Sequence, residues 1–314
     1  MRTPAARWTA SLALTATALL AAGCGAEGDD AAADGELTVV AGFYPLEWAA
    51  ARVGGNRIAV TSLTPSGAEA HDLELTPRDV GAVGSADLLV YLEGFQPALD
   101  EAAAEAGDAA WDAGQAADLV EGEHAHGDEE HADEEDGHGD EAVDPHFWLD
   151  PTRLAAVGDA LAERLTELDP DGAATYEGNA AALRADLEAL DAEMQEGLAG
   201  CAVDTLVTSH EAFGYLAERY GLDVVGISGL SPSQEPSAAG LAEITGLVRD
   251  RGITTVYTET LVDPAVAETV AEEAGVRTAV LDPIEGLTDE SAGEDYLQVM
   301  RANLATLQEG QGCS

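Results

Sequence analysis

From Leu37 to Ala41 the chain is apolar and β-branched (LTVVA), and Pro45 to Val53 can form a helix behind that strand. Ile58 to Leu63 gives a second strand, Pro77 to Ser85 a helix, and Asp87 to Leu92 (DLLVYL) a third strand. Strands alternating with helices predict parallel βαβ units. Beyond Asp150-Pro151 the pattern changes. Thr152 to Leu168 and Ala173 to Leu198 are rich in Ala, Leu and Glu, with almost no Gly, Pro or β-branched residues, as long helices require. The second would be about 39 Å long at 1.5 Å per residue, long enough to brace one lobe against another. Alternation then resumes: strand Thr205 to Thr208, a helix opened by His210 and running through Glu218, strand Val224 to Ile227, helix Ser237 to Arg251, strand Thr254 to Thr258, helix Pro264 to Ala274, strand Arg277 to Leu281, helix Gly293 to Gln308. The expected fold is α/β, with two βα lobes around central parallel sheets. Its parts are a first lobe over residues 36–170, a linking helix over 171–200 and a second lobe over 201–314.

One stretch fits neither period. Residues 121–144 (EGEHAHGDEEHADEEDGHGDEAVD) are half acids, carry four His and contain no aromatic residue. Such a segment buries too little apolar surface to offset its ordering entropy, so a disordered insert within the first lobe is expected. A solvated charged loop is one reading. The other is reversible capture of divalent cations by His124, His126, His131 and His138 with the surrounding carboxylates.

Charge narrows the function. The 314 residues include 61 acids against 13 basic residues, a formal net charge of -48, which repels phosphate backbones and argues against nucleic-acid binding. Every basic residue is Arg, so no P-loop lysine and no lysine Schiff base is possible. If ATP drives the protein's task, another chain hydrolyses it.

The first residues read as an export signal. Arg2 and Arg7 form a short cationic stretch before an apolar run, Trp8 to Ala22, too short and Ala-rich for a comfortable membrane span. It ends in Leu20-Ala21-Ala22-Gly23-Cys24-Gly25, which resembles a bacterial lipoprotein cleavage box. The resemblance implies removal of residues 1–23, lipidation of Cys24, a flexible tether over 24–35 and anchoring to the outer face of the cytoplasmic membrane. Ordinary signal cleavage with a free Cys is the alternative. In an oxidising compartment Cys201 and Cys313 then form an even pair. A bridge between them would close a long loop and contribute at most about 4 kcal/mol in the chain-entropy model. Two free thiols at a frayed terminus are the other reading.

The remaining three His stand at element ends. His71 lies in a Gly- and Pro-bounded loop, Pro65-Ser66-Gly67-Ala68-Glu69-Ala70-His71, after the second strand. His146 sits in Asp144-Pro145-His146-Phe147-Trp148-Leu149-Asp150-Pro151, between two prolines that restrain the backbone. His210 follows the strand Thr205 to Thr208 directly. In open α/β folds ligand groups gather at the carboxyl ends of strands, which suits His71 and His210. Any one of them alone would be an ordinary hydrogen-bonded His; three together point to a metal. Asp282, in Val280-Leu281-Asp282-Pro283-Ile284, ends the last strand and is the carboxylate candidate.

These motifs, Pro-x-Gly-x-x-x-His, Asp-Pro-His-x-Trp-x-Asp-Pro, Ser-His-x-Ala-Phe-x-Tyr and Leu-Asp-Pro, resemble those of the solute-binding subunits of bacterial ABC importers for zinc and manganese, the ZnuA-like family, over nearly the whole chain after the signal. The resemblance implies two lobes joined by one rigid helix and a metal held between them by His71, His146, His210 and Asp282. It also implies a monomer that docks on an ABC importer permease served by a separate ATPase subunit. Family members with a His-rich acidic insert before the second ligand are typically zinc proteins. Glu69 precedes His71 by two residues rather than one and is left out of the ligand set; the fourth ligand varies within the family.

Ligand chemistry leads to Zn2+ independently: three imidazoles and a carboxylate make a closed tetrahedral site, whereas manganese prefers more oxygen. Affinity should weaken as pH falls through about 6.5. The alternatives are a manganese or iron importer subunit, an adhesin or metal buffer, and a zinc hydrolase. Against the last, the chain has no HExxH, and Glu211 beside His210 reads equally as a helix-start acid.

Overall fold

In a computed structural model, residues 36–120, 143–234 and 236–314 are described. The export signal, the tether with Cys24, and His124, His126, His131 and His138 of the insert lie outside the described residues.

The first half contains β1 (Leu37–Ala41), α1 (Tyr44–Gly54), β2 (Ile58–Ser62), α2 (Pro77–Val83), β3 (Leu88–Tyr91), α3 (Pro97–Ala106), β4 (Ala110–Asp112), α4 (Gly114–Ala117) and α5 (Pro151–Leu168). A 3-10 turn, Phe147–Leu149, leads into α5. Then come the long helix α6 (Ala173–Gly197), and β5 (Thr205–Thr208), α7 (Gly214–Tyr220), β6 (Asp223–Gly226), α8 (Ala238–Asp250), β7 (Thr255–Thr258), α9 (Ala265–Ala274), β8 (Arg277–Val280) and α10 (Tyr296–Gln311). Each half builds one four-stranded parallel sheet, and both have the same relative order, β2-β1-β3-β4 and β6-β5-β7-β8.

Local chemistry sets the ends of these elements. Thr76 and Asp79 form a reciprocal capping box on α2. Asp150, Ser237 and Asp295 accept backbone N–H bonds at the starts of α5, α8 and α10. The helix expected from His210 starts only at Gly214, because Ser209 to Phe213 form turns in which Thr208 Oγ1 donates to His210 O at 2.7 Å. α3, β4 and α4 carry no expectation from the sequence; β4 has three residues, too few to show a period.

α6 buries Tyr176, Ala180, Leu183, Leu187, Leu190 and Met194, a stripe at three- and four-residue spacing. It packs along α1 and α5 of the first half and α10 of the second. The crossing with α5 is close at Gly158, where a Cβ would lie 2.8 Å from Leu183 Cδ2. Gly158→Val should therefore destabilise the protein by about 1–3 kcal/mol through overpacking, checked by thermal unfolding; an unchanged midpoint would contradict this packing. Cys201 and Cys313 are bridged at 1.98 Å, joining the end of α10 to the segment before β5.

Candidate metal centre

The carboxyl ends of strands from both sheets converge on one buried cluster. His71 comes from the loop after β2, His210 from the turn after β5, His146 from the turn before α5, and Glu285 from the loop after β8. One donor atom from each lies within 4.8 Å of all the others. Glu285 Oε1 is 3.5 Å from His71 Nε2, 3.4 Å from His146 Nε2 and 3.3 Å from His210 Nε2, and the last two nitrogens are 3.4 Å apart. A tetrahedron with bonds of about 2.0–2.1 Å to its centre has edges of about 3.3–3.4 Å. The three edges that meet at Glu285 Oε1, and the edge between His146 and His210, are therefore close to those of a tetrahedral ion's ligand shell.

Two of the imidazoles are held in the same way. Asp144 Oδ1 accepts both the backbone N–H of His146 (2.9 Å) and its Nδ1 (2.8 Å). Glu259, directly after β7, accepts the backbone N–H of His210 on Oε1 (3.1 Å) and its Nδ1 on Oε2 (2.7 Å). A carboxylate on Nδ1 fixes the tautomer and aims a basic Nε2 at the centre. His71 is positioned through its loop instead. Buried Gln96 donates to Thr64 Oγ1 (3.0 Å) and Ala70 O (2.9 Å), and the Phe95 ring meets the imidazole edge-on at 4.6 Å. Ser66 Oγ and Gly67 N both donate to Leu287 O, tying this loop to the one that bears Glu285.

The electrostatics of the metal-free cluster follow from its burial and its mixed charge. Burial raises the Glu285 carboxyl, but bonds from His146, His210 and His71 outweigh it and hold the group well below the usual carboxylate range. Burial lowers His210, yet Glu259 and then Glu285 push it up to about 10. His146 is raised in the same way by Asp144 and Glu285 against desolvation. His71, without an orienting carboxylate of this kind, is lowered by burial despite Glu285.

The structure corrects the expected fourth donor. Asp282 is buried, but its Oδ1 accepts the Ile284 N–H (2.8 Å), its Oδ2 faces Ser291 Oγ (3.3 Å), and it is not among the converging atoms. Its bonds instead stabilise the turn that presents Glu285. Within that turn fully buried Ile284 has φ of 60°, a conformation costly for a β-branched residue. In the sequence Glu285 is a second carboxylate three residues beyond Asp282, and no local signal ranks one above the other. Asp144, the last residue of the expected insert, is buried against His146. Glu69 spends both carboxylate oxygens on the N–H groups of His71 (3.0 Å) and Asp72 (3.1 Å), while burial and then Glu285 push it up to about 8.

Because Glu259 serves two groups of His210 at once, Glu259→Ala should weaken divalent-metal affinity roughly ten- to hundredfold. Competition with a chromophoric chelator measures this, and an unaltered affinity would remove Glu259 from the orienting role.

Two parallel βα halves braced by one helix, with a buried cluster of three histidines and one carboxylate where their strand ends face each other, define a two-lobed α/β protein with a metal-capable centre. The sequence profile described as zinc-uptake complex component A, periplasmic, matches residues 39–310, and the chain belongs to this ZnuA family. It is 35% identical over 313 residues to the high-affinity zinc uptake system protein ZnuA of Bacillus subtilis, covering 96% of this chain and 97% of that protein. It is 39% identical over 289 residues to the zinc-binding lipoprotein AdcA of Streptococcus pneumoniae, covering 88% of this chain. The chain spans only 56% of that relative's length. The crystal structure of Zn(II)-bound AdcA from the same organism superposes with a TM-score of 0.73 at 36% identity, covering 88% of this chain and 58% of that one.

Proposed function

We propose that this protein captures Zn2+ outside the cytoplasm and delivers it to an ABC-type importer in the cytoplasmic membrane. His71, His146, His210 and Glu285 hold the ion. The observation that carries the reading is the spacing of their four buried donor atoms, 3.3–3.5 Å around Glu285 Oε1. Three nitrogens and one oxygen suit zinc better than manganese, which takes more oxygen. The names of the Bacillus and streptococcal relatives support the same cargo. With no lysine in the chain, ATP hydrolysis falls to a separate subunit beside the permease. The protein acts as a carrier rather than an enzyme: four protein donors enclose the ion and leave no open position for an activated water. Lipidation at Cys24 holds it, as a monomer, on the outer face of the membrane. His124, His126, His131 and His138 raise the local concentration of zinc.

Elemental analysis of the mature protein, intact and lacking residues 121–142, tests this. The deletion stops short of Asp144 because that residue holds His146. One tightly held zinc per chain is expected in both forms, and none in His210→Ala. Loss of all tight zinc with the deletion would instead mark a buffer whose capacity lies in the insert.

A further inference from the structure

The start of α7, four residues after His210, reaches across to the segment that carries His146. Buried Tyr215 accepts the Val120 N–H on its hydroxyl at 2.9 Å and donates the hydroxyl proton to Asp144 O at 2.9 Å. Those two residues also bond to each other, Asp144 N to Val120 O at 3.2 Å. Beside Tyr215, Gly214 lies so close that a Cβ there would stand 2.6 Å from Asp144 Oδ2. The Arg153 guanidinium covers the Tyr215 ring at 4.8 Å and donates to Ala117 O and Asp118 O, steadying the segment just before Val120. Both the main chain and the carboxylate of Asp144 are thus set by the first turn of α7. Asp144 in turn sets His146 through two bonds.

We propose that Tyr215 is a positioning residue of the metal centre: its hydroxyl, with the close approach at Gly214, fixes Asp144 and so aims the first-half imidazole of His146 at the point defined by His210 of the second half. The inference rests on the zinc reading of the cluster. Tyr215 touches no ligand and no metal; it acts through Asp144 alone. Removing the hydroxyl leaves the Val120 N–H and Asp144 C=O without their shared partner and lets the Asp144 carboxylate tilt the His146 ring.

The test uses the full mature protein with Tyr215→Phe, Asp144→Ala and the double variant. Zinc affinity is read by chelator competition, ligand geometry by the visible absorption of bound Co2+, and folding by thermal unfolding without metal. Tyr215→Phe should bind zinc roughly tenfold more weakly and shift the Co2+ bands. Asp144→Ala should lose at least as much, and the double variant no more than Asp144→Ala. An affinity within twofold of the parent overturns the proposal, as does full additivity of the two losses. A lowered melting temperature with unmoved Co2+ bands also overturns it, since that is the signature of a merely structural role. Should Tyr215→Phe fail to fold, amide exchange on the unaltered protein decides: zinc should slow exchange at Val120, and no slowing there overturns the proposal. If the unaltered protein takes up neither zinc nor Co2+, the zinc reading falls and this inference with it; if it binds both and the variants match it, this inference alone fails.

Discussion

Glu285→Ala is expected to lower zinc affinity at least a thousandfold, measured by competition with a chelator of known affinity. Loss of an outer carboxylate costs about ten- to hundredfold. Glu285 is the single anionic donor among the four converging atoms, so its removal costs more. It leaves three imidazoles with no anionic donor in a buried pocket, where a divalent charge gains little from solvent. Asp282→Asn should cost far less. An asparagine oxygen can still accept the Ile284 N–H, so the turn and the placement of Glu285 persist. If Asp282→Asn empties the site while Glu285→Ala remains loaded, the fourth ligand is Asp282 after all.

Acid should release the metal steeply. Zinc requires neutral imidazoles, so protons and metal compete for the same Nε2 atoms. In the metal-free protein burial opposes the protonated form of His210, but Glu259 and Glu285 push it up to about 10, and His146 is raised as well by Asp144 and Glu285. His210 therefore carries a proton at neutral pH that zinc must displace, the upward shift of His146 adds to the competition, and His71, being lowered, contributes little there. The sign is fixed: the metal-free state binds more protons than the loaded state, so affinity falls as pH falls. The expected slope is at least about one decade per pH unit around neutrality, for the proton displaced from His210, and steepens as His146 takes up its own proton. It should set in at higher pH than the value of about 6.5 typical of an isolated imidazole. Isotherms that coincide at pH 8 and pH 6 would refute this.

His71, His146 and His210 were legible as candidates only together, because each sits beside turn-forming residues at an element end and three such histidines in one chain point to a metal. The strands of both sheets were legible because apolar, β-branched runs alternate with helical stretches, although β4, with three residues, and α4, with four, were too short to show a pattern. The fourth donor was not legible. Asp282 and Glu285 are both acids after the last strand, and only a left-handed Ile284 decides which of them faces the histidines. Such a conformation is set by tertiary contacts, here the Asp282 carboxylate and the bonds of Asn303 to the Asp282 backbone. Asp144 was hidden for a different reason: it ends a run of acids whose composition speaks for solvent, yet long-range bonds to Tyr215 and its two bonds from His146 hold it inside. Glu259 needed only the rule that ligand-side groups gather at strand carboxyl ends, applied to β7 as it was to β5.

One continuous apolar cluster joins Val39, Phe43 and Leu46 of the first half through Leu183 and Leu187 of α6 to Phe213, Tyr257, Tyr296 and Leu307 of the second. Swinging the halves apart would tear this cluster open and wet it, so the molecule has no free hinge of the clamshell kind. An ion at the donors is then expected to come and go by local rearrangement of the loops around them. X-ray scattering curves of the empty and loaded protein should superimpose at low angle, and a radius of gyration that shrinks by several ångströms on adding zinc would show that the halves swing after all.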